Sequence, residues 1–420
     1  KSGSRPGNTS VCIWASNLLN MKKIIEILFI PTLVVLLLLL SVFFDYSPGF
    51  GRLQQALAFL CAIFVVLSVG LRVRPFSILA KIQFSKPKII LFVKMFIICF
   101  AAGDLLLRLM LPPVHQQTRY GWSLSENVKV EKRVEDSPGN FRDITVEYYK
   151  HGFKRWGDPE TGKKKILIIG DSFSQMNFVS NGEEWYSYLE RAYDGIELFV
   201  FGGGGYGSLQ EFMVLDDFFD IIHPDLILWQ FCGNDYGNNL YDLDVTGYPY
   251  NNHCVRPYLE DEKVVYRLPL PLSTVRNYSF VADRLLNMYD RFRWRDATRN
   301  LEAYLEAYNE KTRALSVPKK EQLQKLEERS FAVTQDILGN VRKRVGNVPI
   351  YMFNACGQLS GKEQRLCDTN QFICIENIAE TVTSAEKEGL KVKVVNDGHW
   401  NRLGNELAGK KIADYFKNKL

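Results

Sequence analysis

Four short stretches of this chain pair nucleophilic, acid–base and amide groups with glycine. They are Gly170-Asp171-Ser172, the glycine turn Gly202 to Gly207, Gly233-Asn234-Asp235 and Asn396-Asp397-Gly398-His399. Each follows an apolar run. A serine at a strand-to-helix turn exposes its hydroxyl and aims its own amide at a reacting oxygen. Glycine lets backbone approach closely and offers a second amide donor, and Asn234 adds a third donor without a charge. Histidine is the side chain whose ordinary pKa lies nearest neutrality, so His399 suits the general base on Ser172, with Asp397 fixing its tautomer. Taken singly, Gly-Asp-Ser is also a turn with a helix cap, Gly-Asn-Asp an Asx turn, and a lone histidine a structural residue. Order, position and complementarity make the four a set suited to acyl transfer.

The elements that must position them read as alternating strands and helices. Apolar runs at 165–170, 196–201, 225–231, 348–353 and 392–395 have the length and content of strands buried on both faces. Amphipathic stretches at 183–192, 208–222, 371–387 and 401–418 separate or follow them. This predicts an α/β fold, a flavodoxin-like doubly wound parallel sheet of five strands, whose ligand site lies beyond the strands' carboxyl ends. All four stretches fall at that edge. Residues 113–163 read as a linker and 164–420 as the main domain. An insertion at about 236–330 begins aromatic and Asn-rich, with Arg256-Pro257-Tyr258 in it, and ends in charged helical sequence over 297–328, broken at Pro318.

These blocks, in this order, resemble the SGNH, or GDSL-like, hydrolase superfamily over about 165–420. The resemblance implies Ser172 as nucleophile and His399 as base. It also implies an oxyanion hole from the Ser172 amide, a glycine of the 202–207 turn, best matched by Gly205, and the Asn234 side chain. Asp171 and Asp235 are supporting members of their blocks. The last block departs from the common pattern: one residue, not two, separates Asp397 from His399, and Asn396 holds the usual acid position. Asp397 is taken as the orienting acid because some membrane-linked, polysaccharide-modifying members share this shorter spacing.

The 420 residues carry 52 Lys+Arg against 47 Asp+Glu, a net +5, too mild to argue for nucleic acid. The first 112 residues are strongly apolar. Residues 27–44 and 53–71 are uncharged and long enough to cross a bilayer; 89–112 is a third candidate, interrupted by Lys94, Asp104 and Arg108, with a buried or interfacial helix as its alternative. Lys22, Lys23 and the basic 72–88 loop place the amino terminus inside, so three crossings put the main domain outside the cytoplasm and two leave it inside. Residues 1–20 are expected to precede the natural start. Among the eight cysteines, pairs drawn from Cys254, Cys356, Cys367 and Cys374 are compatible with an oxidising compartment, and Cys232 is expected free. No metal cluster or cofactor is implied, as His223 and His253 lack ligand partners at useful spacing.

Together these features predict a membrane-anchored serine esterase that removes O-acyl groups, acetyl above all, from an extracytoplasmic carbohydrate. Its partners would be the acylated carbohydrate and the lipid bilayer. One alternative is an O-acyltransferase of a surface glycan with a membrane acyl-transfer partner; another is a silent glycan- or partner-binding domain. Gly202-x-Gly204-x-x-Gly207 also fits a dinucleotide fingerprint, but it follows the second strand, and no acidic residue clearly ends the next one.

Overall fold

The structure is a computed structural model that describes residues 97, 100–105, 115–247, 255–267, 279, 282, 317–395, 397–417 and 419–420. Segments 27–44 and 53–71, and most of 89–112, lie outside the described residues, as does Asn396. Among the described residues no helix is long and apolar enough to cross a membrane. The chain divides into two units, residues 1–112 with 279–288, and 113–278 with 289–420. In the first, residues 100–105 are helical and the Ser279 hydroxyl donates to Asp104 at 3.0 Å.

The second unit carries the candidate site. It begins with two hairpins, β1 (His115–Thr118) with β2 (Gly121–Leu124), and β3 (Val128–Ser137) with β4 (Asn140–Tyr148), then the short β5 (Arg155–Trp156). The α/β part runs β6 (Lys164–Gly170), α1 (Ser172–Gln175), α2 (Trp185–Ala192), β7 (Ile196–Gly202), α3 (Ser208–Ile222) and β8 (Leu226–Phe231). Next come α4 (Asn234–Asn239), α5 (Tyr241–Gly247), the hairpin β9 (Arg256–Glu260) and β10 (Lys263–Arg267), and α6 (Val317–Val345). The chain closes with β11 (Ile350–Asn354), α7 (Gly361–Asn370), β12 (Ile373–Cys374), α8 (Ile378–Lys387) and α9 (Arg402–Phe416).

The central sheet has the order β12-β11-β8-β6-β7-β5. Its strands bury both faces, which is why they read as unbroken apolar runs. Ile166, Ile168, Leu198, Val200, Leu226 and Leu228 face one core with Trp185 and Leu189 of α2, Ile378 and Val382 of α8 and Ile412 of α9. The alternate residues Leu167, Ile169, Phe199, Phe201, Ile227 and Trp229 face the other, against Val214 and Leu215 of α3 and Ile337, Leu338 and Val341 of α6. From β6 the chain moves to β7 on one side and then to β8 on the other. That reversal opens a crevice between the ends of β6 and β8, where ligands of such sheets bind.

Several expectations are corrected. The sheet is mixed and six-stranded, because β5, from the stretch read as a linker, pairs antiparallel with β7. That stretch is structured throughout most of its length: the β3–β4 hairpin buries Val134, Ile144, Val146 and Tyr148 in a core of its own. Residues 392–395 do not form the fifth parallel strand. Val392 and Val394 are buried, but their backbone groups bond within the chain's own loop, Asn401 N–H to Val392 O and Val394 N–H to His399 O, both 3.0 Å. The short β12 takes the sheet edge instead, parallel to β11. The helix expected at 371–387 begins only at Ile378, since Gln371 is the left-handed cap that ends α7. Pro318 falls at the start of the described part of α6, a place that suits a residue without an amide hydrogen to donate; residues 297–316, and with them the helix expected there, lie outside the described residues.

Cys232 is not free. It pairs with Cys356, with a Cα–Cα distance of 5.2 Å, because β8 and β11 are neighbouring parallel strands and both cysteines fall just past their ends. Cys367 pairs with Cys374 across the α7–β12 turn. Non-reducing peptide mapping should return these two pairs. Replacing Cys232 and Cys356 by serine, which frees a loop with a sequence separation of 124, should cost about 2–5 kcal/mol in urea unfolding. The Cys367–Cys374 pair closes a span of only 7 and should cost less.

Candidate active site

Ser172 opens α1, a single turn at the end of β6. Asp171 is its N-cap: the side chain accepts the Phe173 N–H at 2.9 Å. Gln230, on neighbouring β8, fixes this corner with one oxygen that accepts the Asp171 N–H at 3.1 Å and the Ser174 hydroxyl at 2.9 Å. The Ser172 hydroxyl is therefore carried on a backbone turn anchored across two strands.

Across the crevice, the loop before α9 brings His399 to Ser172, with Nε2 and Oγ 2.6 Å apart. The other ring nitrogen, Nδ1, bonds the Asp397 carboxylate, which also accepts the His399 N–H at 2.9 Å. Ionised carboxylate can only accept, so Nδ1 carries the proton and Nε2 is left as acceptor for the serine hydroxyl. Two aromatic rings hold the imidazole: Phe173 at 4.8 Å between centroids and Phe178, stacked, at 5.0 Å. Asn401 caps α9 through Gly404 N–H and donates to Asp136 O and Lys391 O, which ties down the loop from both sides.

Burial works against charge on both partners, but their mutual attraction wins. Asp397 sits below the ordinary carboxylate value, despite burial, through the hydrogen bond and charge of His399. His399 is raised above its ordinary value: burial disfavours the imidazolium, the Asp397 hydrogen bond and charge outweigh it, and Lys132 opposes the gain.

The glycine turn after β7 lies against α1. Gly202 has no room for a side chain, since a Cβ would meet Gln175 N at 2.0 Å, and the Gly203 N–H donates to Gly170 O at 3.1 Å. Gly205 sits at φ +72°, a conformation that glycine adopts without strain. Its carbonyl accepts from the fully buried Arg256 at 2.8 Å and from Asn238 at 3.3 Å. Asn234 begins α4, half-buried, and its side chain helps to hold charge on Asp171. Asp171 is nonetheless raised, chiefly by burial.

The structure thus joins Ser172, His399 and Asp397 directly, and sets Asp171, Asn234 and the Gly205 turn around Ser172's helix. Asp235 is fully buried just past the end of β8, where its carboxylate accepts the Cys232 N–H at 3.4 Å and the Ser208 hydroxyl at 3.5 Å, and burial together with the charge of Asp171 pushes its carboxyl well up. Glu211 of α3, unnoticed in the sequence, is raised in the same way by burial and by Asp235. Lys132, Phe178, Gln230 and Arg256 were likewise missed as parts of this neighbourhood. Only Lys132 leaves a trace in sequence, as the one charge among valines at alternate positions of a strand. Among the described residues no group of histidine, cysteine and carboxylate side chains is arranged to hold a metal.

No protein-family model and no curated protein matches the chain. Solved structures do match. One is a member of the lipolytic protein G-D-S-L family from Veillonella parvula, 11% identical, covering 60% of this chain and 98% of that one, with a TM-score of 0.32. A lipase/acylhydrolase from Enterococcus faecalis is 11% identical over 61% of this chain and 97% of its own, TM-score 0.33. An acetyl xylan esterase from the rumen bacterium Butyrivibrio proteoclasticus is 14% identical over 67% and 66%, TM-score 0.27. At such identities and scores, the chemistry of this chain rests on its own geometry.

A reaction that needs neutral His399 should rise with pH along a single limb. Because the imidazole is raised above its ordinary value of 6.5, the half-maximum of kcat/KM for an ester should lie above that pH. Asp397→Asn, which removes the carboxylate that selects the tautomer, should lower kcat by about 10⁴-fold; steady-state kinetics across pH checks both.

Proposed function

We propose that this protein is a serine esterase of the SGNH type. The observation that carries this is the line Ser172 Oγ–His399 Nε2 at 2.6 Å with Asp397 on the far nitrogen. In the proposed cycle Ser172 Oγ attacks the acyl carbonyl while His399 Nε2 takes its proton, and Asp397 stabilises the imidazolium. The oxyanion is met by the Ser172 and Gly205 amides and the Asn234 side chain. Collapse expels the alcohol, which receives the proton from His399. Water, activated by the same imidazole, then releases the acid and restores the serine.

The substrate we propose is an O-acylated carbohydrate, with acetyl as the acyl group, met outside the cytoplasm by a catalytic unit tethered to a bilayer through the apolar segments of residues 27–112. The two disulfides support an oxidising compartment. The uncharged runs at 27–44 and 53–71 support the tether.

The test is p-nitrophenyl acetate turnover by the full chain in detergent micelles, beside Ser172→Ala and His399→Ala. Each variant should lose at least about 10⁴-fold in kcat. Turnover that survives Ser172→Ala would remove this assignment. A folded protein without hydrolysis that is acylated at Ser172 and passes the acyl group to a sugar would move it to acyl transfer.

A further inference from the structure

The β3–β4 hairpin carries an anomaly. Val128, Val130 and Val134 occupy alternate positions of β3 on the face that packs with Ile144, Val146 and Tyr148 of β4. Lys132 lies in the same register, opposite Ile144. An ammonium placed among apolar side chains gives up hydration and lowers stability unless something repays it. Among the described residues Lys132 makes no ion pair. Its Nζ rests 5.0 Å from the centre of the Phe178 ring, and that ring stacks on His399 at 5.0 Å. The hairpin is fastened to the histidine loop beside it, Val395 N–H to Glu135 O at 3.2 Å and Asn401 Nδ2–H to Asp136 O at 2.9 Å. Lys132 is therefore held at a set place relative to the acid–imidazole pair.

We propose that Lys132 is a positioning residue of the Ser172–His399–Asp397 array: its ammonium, braced on Phe178, keeps Asp397 ionised and opposes proton uptake by His399, so that the imidazole is a free base at lower pH. The charges that act with it are few. Asp397 attracts it and Lys154, from the segment before β5, repels it; at His399, beyond Phe178, the charge of Asp171 works alongside Asp397 and against Lys132. The hairpin's own neighbours on that face are apolar. Burial pushes the Lys132 ammonium down to about 8, with Asp397 working the other way, which leaves it charged at neutral pH. The arrangement balances two opposed needs. Asp397 must be an anion to select the tautomer, yet an unopposed anion would hold His399 protonated and unable to accept from Ser172.

This inference rests on the esterase reading for its kinetic arm alone. In the full chain, Lys132→Met should keep the fold and raise Tm, since methionine suits a slot between Val130 and Val134. The acid limb of kcat/KM for p-nitrophenyl acetate should move up by on the order of half a pH unit, and Lys132→Arg, which keeps the charge, should leave the limb in place. The same shift should appear without any substrate in the titration of His399, followed by NMR of ring-labelled histidine and assigned by His399→Gln. If Lys132→Met does not fold, Lys132→Gln replaces it in both measurements. Limb and titration both unmoved in a folded neutral variant would overturn the proposal. A titration that shifts in a protein with no turnover would keep Lys132 as the positioning residue and reject the esterase reading.

Discussion

The hydrogen bond between Ser172 and His399 joins positions 227 residues apart, and most of the second unit can be understood as what holds those two atoms together. Neither residue sits on a rigid element's interior. Ser172 begins a one-turn helix, and His399 lies in a loop. Each end is stabilised by backbone bonds: Gln230 and the Gly203 amide at the serine corner, and Asn401 with the β3–β4 hairpin at the histidine loop. A hydrogen bond falls off steeply with distance and angle, so a chain that needs this one must over-determine both ends.

The electrostatics follow from depth. Behind the serine corner lie Asp171, Glu211 and Asp235, all fully buried and all raised above the ordinary carboxyl value by burial, with repulsion between neighbours adding to it for Glu211 and Asp235. Arg256 is the buried cation of the same region, within 3.3 Å of Asp244 and bonded to Gln210 and Gly205. On the other side Asp397 and His399 favour one another's charged forms. The serine is thus set between a carboxyl group biased toward neutrality, because burial prevails at Asp171, and one biased toward ionisation, because the bond and charge of His399 prevail at Asp397.

The residues of the candidate site were more legible in the sequence than the scaffold. Glycine, serine and asparagine at the ends of β6, β7 and β8 announce themselves because few residue types suit those turns, and His399 stood out beside its acid although the run before it is not a strand. The four inner strands also read correctly, since burial on both faces leaves an unbroken apolar run. What failed were places where a local pattern had two uses. Val392 and Val394 alternate with polar residues as a strand would, but their backbone groups are taken by the His399–Asn401 loop. The β3–β4 hairpin is rich in charge and resembles a linker, because only one of its faces is covered. Cys232, in an apolar run, looked like a buried free thiol; its partner depended on β8 and β11 being neighbours, which is a property of topology and not of spacing.

The Cys232–Cys356 bond also has an evolutionary side. It fastens the carboxyl ends of two adjacent parallel strands, one where the chain leaves β8 for the long excursion before β11 and the other where it leaves β11 for α7. Whatever the excursion gains or loses in length, the carboxyl ends of β8 and β11 stay held, 5.2 Å apart at the Cα atoms of the two cysteines, and the Gly233-Asn234 corner beside one of them need not move. The excursion can then be rewritten while the corner at the end of β8 stays in register with β11. The bond makes the insertion an exchangeable part.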